Sequence, residues 1–221
     1  MIAIIALLAA LAFPALGRIK VSGQVAKSTA GLRQIYQAIQ LSVTDNHGDY
    51  PLAQTATDAV GSAFERANTM WAEAAGRILY PELRASLPSG VPWMFQDSRN
   101  PKGYAETVFR SPAPEPDASI RIASYGYNEL LTQRAGGSRR LGMIFKPSTT
   151  GLMADNSGKT HSLTPNYASG KLNARYGAGT PYASDGRATA VYLDGHVEVL
   201  TAAQVKEINE QPAHPFWGVR Q

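Results

Sequence analysis

The residues of this chain that could do chemistry are few. His196 and Glu198 stand two apart in a β-prone run. Alternate residues of a strand share a face, so this pair could hold a metal if a third ligand joined it, or it could be a solvent-facing hairpin pair. His47 and Asp49 lie where a helical pattern stops, where polar residues cap and turn or could contribute metal ligands. Asp155-Asn156-Ser157-Gly158 sets oxygen ligands on a Gly-bearing stretch, which makes Asp155 and Asn156 weak Ca²⁺ candidates. Full Ca²⁺ coordination takes six to eight oxygens, and this stretch lacks the spaced acidic set of a known loop. Tyr125 and Tyr127 alternate on a strand and read as packing residues. No Gly-x-Ser-x-Gly elbow, phosphate loop or His-Glu-x-x-His motif occurs. With no nucleophile–base pair or paired carboxylates, the pattern indicates no catalytic residues and no enzyme. No cofactor other than Ca²⁺ is indicated.

Composition narrows the class further. The 221 residues have 44% hydrophobic content and no Cys, which excludes disulfides and thiolate metal sites. The net charge is +4, and the basic residues are not interleaved with aromatics as on a nucleic-acid face. Arg18, Lys20, Lys27 and Arg33 follow an uncharged run, Ile2 to Leu16. Such a juxtamembrane basic group suits contact with anionic lipid headgroups. The run falls short of the roughly 20 apolar residues that span a bilayer. It also lacks the basic start and small-residue cleavage site of a secretory signal, so we read residues 1–17 as a truncated transmembrane segment.

Several elements follow from the pattern. Val25, Leu32, Ile35, Ile39 and Val43 recur at threes, fours and sevens, one helix face expected to pack on the head. Residues 18–46 therefore continue the first helix amphipathically, giving a rod of roughly 70 Å with a kink at Pro14. Gly48 and Pro51 stop it. A second helix fits Asp58 to Leu79, with Phe64, Ala67, Trp71, Ala74 and Ile78 on one face and Asp58 as N-cap. Residues 81–119 read as loop, 120–127 and 150–154 as short strands, and 155–187 as a long polar insertion. Asp194-Gly195 between two β-prone runs predicts a hairpin with a type I′ turn, a structural feature. Thr201-Ala202-Ala203-Gln204 predicts a capping box stapled by Leu200 and Val205, then a helix to about Glu210. The aromatic tail, Phe216-Trp217, could dock on its own domain or on a partner. The expected class is α+β: a long N-terminal helix on a small antiparallel-sheet head spanning residues 47–221.

Four stretches in order carry a family resemblance: Ile2 to Leu16; Leu32-Arg33-Gln34-Ile35 with Asp45 to Pro51; Ser124 to Asn128 with Lys146-Pro147-Ser148 and Ala154-Asp155; and Leu193 to Glu198. In these the chain resembles type IV pilin-like proteins and type II secretion pseudopilins, in the subgroup with a His, nine residues, then Asp-Gly. The resemblance implies a filament subunit of a type IV pilus or secretion pseudopilus. Ile4, Leu8, Leu11 and Pro14 would lie on the assembly helix. It implies a single pass through the bacterial inner membrane, with the head outside the cytoplasm or in an extracytoplasmic filament. Its partners would be other pilin-like subunits, the assembly machinery and membrane lipid, with no nucleic acid. The positive-inside rule, applied to the four cations alone, points the other way. The family's basic leader and Phe-Thr-Leu-Ile-Glu segment are not in this sequence, and the match implies that Met1 falls within the mature helix. Ser184 stands at the family's His position, and Ser28 and Ser111 at positions where many relatives carry Cys. A second function class stays open: a membrane-anchored extracytoplasmic module recognising a glycan or envelope polymer.

Overall fold

The periodic apolar face and the Gly-Pro stop produce one helix, α1 (Ile2–Asp45), which is the longest element of the chain. The computed structural model describes residues 2–53, 71–85, 107–113, 124–132, 146–156, 162–166, 170–177 and 185–218, with side chains from residue 17 onward except Arg84. Val25, Leu32, Ile35, Ile39 and Val43 are all buried, as their spacing requires. Full burial of each of the three innermost, Leu32, Ile35 and Ile39, stabilises by roughly 1.5–3 kcal/mol. Among the described residues no helix is long and apolar enough to cross a membrane. The side chains of Ile4, Leu8, Leu11 and Pro14 lie outside the described set.

The end of α1 differs from expectation by one residue. His47 takes the left-handed conformation at φ 58°, and Gly48 follows at φ 92°. The Gly48 N–H bonds back to the Val43 carbonyl at 2.8 Å, the six-to-one closure of a Schellman motif. His is among the few side chains that tolerate this region.

Helix α2 (Trp71–Leu79) is the described part of the second predicted helix; Asp58, Phe64 and Ala67 lie outside it. Its buried residues are Trp71, Ala72, Glu73, Ala75 and Gly76, while Ala74 and Ile78 sit half-buried on its flank. It packs against α1. A short helix, α3 (Pro81–Ala85), starts where loop was expected, with Pro81 tolerated in a first helical turn.

Five strands form one sheet: β1 (Tyr125–Asn128), β2 (Gly151–Asp155), β3 (Ser162–Leu163), β4 (Arg187–Tyr192) and β5 (Val197–Thr201), in the order β3-β1-β2-β4-β5. A one-turn helix, α4 (Glu129–Thr132), follows β1. The sheet is mixed, not antiparallel, because β3 runs parallel to β1. The fold is α+β, as expected. Thr189 and Val191 of β4 face α1, whereas Ala188, Ala190 and Tyr192 face the second core. That second core is closed by α5 (Ala202–Glu210) and the 3₁₀ turn Pro215–Trp217. The capping box is formed: Thr201 Oγ1 accepts from Gln204 N, and Gln204 Oε1 accepts from Thr201 N at 2.8 Å. The staple residues Leu200 and Val205 are buried. Phe216 and Trp217 are buried in their own domain, and Trp217 Nε1 donates to the Ile208 carbonyl at 2.8 Å.

The hairpin forms, but not with the expected turn. Val191 pairs with Val197, and Tyr192 N donates to His196 O, so the loop is Leu193-Asp194-Gly195. Gly195 N donates to Tyr192 O, and Gly195 alone has positive φ, at 89°. This is a three-residue loop, a turn followed by a left-handed Gly, so Asp194 needs no left-handed backbone. Val191 and Leu193 are buried and Val197 half-buried, but Val199 is 39% exposed at the edge of the sheet.

Candidate functional site

Residues 155–187 read from the sequence as a long polar, Gly-rich insertion. Its described parts run inward: Asn156, Leu172, Asn173, Ala174, Arg175 and Tyr176 are buried. The reason is a carboxylate. Asp155 ends β2 on the face toward α1 and is fully buried. Its Oδ2 accepts from Thr189 N and Thr189 Oγ1, both at 2.7 Å, and its Oδ1 accepts from the Tyr176 hydroxyl at 3.0 Å. A buried charge needs such partners, so the chain must bring Tyr176 inward.

The network continues to α1. Ser28 Oγ shares hydrogen bonds with Thr189 Oγ1 at 2.7 Å and the Tyr125 hydroxyl at 2.9 Å. Ser111 Oγ bonds the Tyr176 hydroxyl at 2.9 Å. The two serines, 83 residues apart in sequence, thus join one network through Thr189, Asp155 and Tyr176. Arg175 Nη1 donates to the Ser124 carbonyl at 3.2 Å, and its positive charge acts on Asp155. Burial dominates the protonation chemistry. It pushes the Asp155 carboxyl up to about 6, against Arg175 and the three donors, which favour the charged form. It also raises the Tyr125 and Tyr176 phenols, which therefore stay protonated.

Ser111 and Tyr125 also line a groove of about 770 Å³ between α1 and residues 107–113. Gln24 Nε2 donates to the Pro112 carbonyl at 3.0 Å, and the Tyr80 hydroxyl accepts from Val108 N at 2.9 Å, so both walls are tied down. Gly31 lets the wall approach: a Cβ there would lie 3.3 Å from the Val108 carbonyl oxygen. Lys20, Lys27 and Arg110 line the groove, and among the described residues no carboxylate does.

The remaining candidates are dispersed. His196 Nδ1 lies 2.6 Å from Asp194 Oδ1 and its ring stacks on Tyr192, while Glu198 accepts from the Tyr192 hydroxyl. His196 and Glu198 are therefore separately engaged. Asp155 and Asn156 lie in the interior, so they are not an open loop of oxygen ligands; Ser157 and Gly158 fall outside the described residues. Among the described residues no group of three or more His, Asp or Glu side chains could hold a metal. Tyr125 and Tyr127 pack, Tyr127 stacking on Trp71 at 5.8 Å. Sequence reading missed Thr189, Arg175 and Tyr176. Thr189, a hydroxyl inside the Ala-Thr-Ala-Val run of a central strand, was the available signal.

No family model, no curated protein and no solved structure matches the chain.

Proposed function

We propose that this chain is a pilin-like structural subunit, without enzymatic activity, of a type IV pilus or type II secretion pseudopilus. It is held in the inner membrane with its head outside the cytoplasm, and assembles through α1. The observation that supports this reading is the outward side of α1. At 100° per residue, Ile19, Gly23, Ala26, Ala30, Gln37 and Leu41 fall opposite the buried face. All are exposed, Ile19 at 66% and Leu41 at 56%. The three small residues in succession, Gly23, Ala26 and Ala30, let another helix approach closely. The stripe also continues the uncharged stretch from Ile2 to Leu16.

The chain has no Cys, so introduced thiols report without background. Ile19→Cys and Leu41→Cys, expressed in the native host, should each give a ladder of cross-linked species with a short bis-maleimide. Lys206→Cys, on α5 across the sheet, should give less. Monomer alone at both α1 positions would reject assembly through this face.

A further inference from the structure

The groove beside α1 has a charge pattern that assembly through the outer stripe does not use. Lys20, Gln24, Lys27, Gly31 and Gln34 recur at threes, fours and sevens, so they form one strip along the helix. From Lys20 to Gln34 that strip is about 21 Å long at 1.5 Å per residue. Arg110 faces it from the opposite wall, and Tyr80 closes one side. Lys20, Lys27 and Arg110 are exposed. Among the described residues the charged groups of the cleft are all cations, and such a cleft concentrates anions.

We propose that this groove binds an anionic polysaccharide, whose carboxylate or phosphate groups are held by Lys20, Lys27 and Arg110. The length suits a linear polymer better than a single ion. The amides of Gln24 and Gln34 and the Tyr80 ring supply polar edges and an aromatic surface suited to sugar hydroxyls and rings. An acidic peptide fits less well. Among the described residues the only strand that lines the groove is β1, which lies inside the sheet between β3 and β2 and offers no free edge to a peptide backbone. The apolar lining is short, Ala30, Val108, Pro112 and Ala113, with little to hold a bulky anchor. This inference does not rest on filament assembly: a chain that failed to cross-link through α1 would keep the groove.

The test is fluorescence polarisation with the purified full chain in neutral detergent. The probes are labelled oligomers of polygalacturonate and of a phosphomannan, with dextran as the neutral control. We expect saturable binding of at least one anionic polymer and none of dextran. Binding should weaken at least tenfold in Lys27→Gln/Arg110→Gln and fall steeply between 50 and 200 mM salt. Lys206→Gln should bind like the unaltered chain. These exposed substitutions leave the core untouched, so folding is preserved. Absence of binding to both polymers, equal binding of dextran, or an unchanged affinity in the double variant would overturn the proposal. So would tighter groove-dependent binding of poly-glutamate or of phosphatidylglycerol vesicles, which would assign the groove to a peptide or a lipid surface.

Discussion

The Tyr36 hydroxyl donates to the Leu193 carbonyl at 3.0 Å, tying the middle of α1 to the tip of the β4–β5 hairpin across 157 residues of sequence. Burial of the phenol, with Tyr50 and Asp194 nearby, pushes its pKa up to about 12. Tyr36→Phe removes the donor and keeps the ring. We expect a loss of about 1 kcal/mol, the usual net contribution of one hydrogen bond, seen as a lower Tm. Faster amide exchange in residues 193–196 than in α5 should accompany it.

Gly195 serves the hairpin in two ways. Its φ of 89° is strained for any L side chain, and a Cβ there would meet the Tyr36 ring at 2.6 Å. Gly195→Val should therefore cost more than backbone strain alone, which is about 1–3 kcal/mol. Asp194 has ordinary backbone, and its Oδ1 accepts from His196 N at 3.1 Å. Asn offers an equivalent oxygen, so Asp194→Asn should shift thermal unfolding little. A large loss in Asp194→Asn would mean that the charge contact with His196 holds the turn.

Asp155 sets a pH dependence whose sign can be worked out. Its folded pKa is about 6, above the ordinary 3.8, so between those values the folded state binds more protons than the unfolded one. Stability from this group is fully present below pH 3.8 and is lost as pH rises to about 6, on the order of 3 kcal/mol. Urea unfolding from pH 3.5 to 7 should show this fall in the unaltered chain relative to Asp155→Asn. Parallel curves for the two proteins would contradict the assignment.

The aromatic tail presses on β2. A Cβ at Gly151 would run into the Phe216 ring, and Asn128 Nδ2 donates to both the Gly151 and the Phe216 carbonyls, at 2.9 and 3.2 Å. Gly151→Ala should cost roughly 1–3 kcal/mol by overpacking. Combined with Phe216→Leu, it should lose less than the sum of the two single changes, because the smaller side chain makes room. Strict additivity in denaturant melts would show that the ring and the strand do not press on each other.

The sequence by itself determined the elements whose signals are local. The buried face from Val25 to Val43 follows from a 3.6-residue period, and the capping box at Thr201 from hydrogen bonds that span three residues. The existence of the last hairpin was equally legible, because its strands are adjacent in the chain. Its turn was not: both a two-residue and a three-residue loop admit Asp-Gly, and pairing of Val191 with Val197 chose between them. The parallel pairing of β3 with β1, the inward path of Arg175 and Tyr176, and the groove rim at Arg110 depend on contacts between distant segments. The same reason governs Asp155. Next to Asn156, Ser157 and Gly158 it reads as a loop ligand, but the tertiary structure buries it against Thr189, Tyr176 and the charge of Arg175. A side chain's role there was decided by which desolvated donors surround it, and those donors come from 21 and 34 residues farther along the chain.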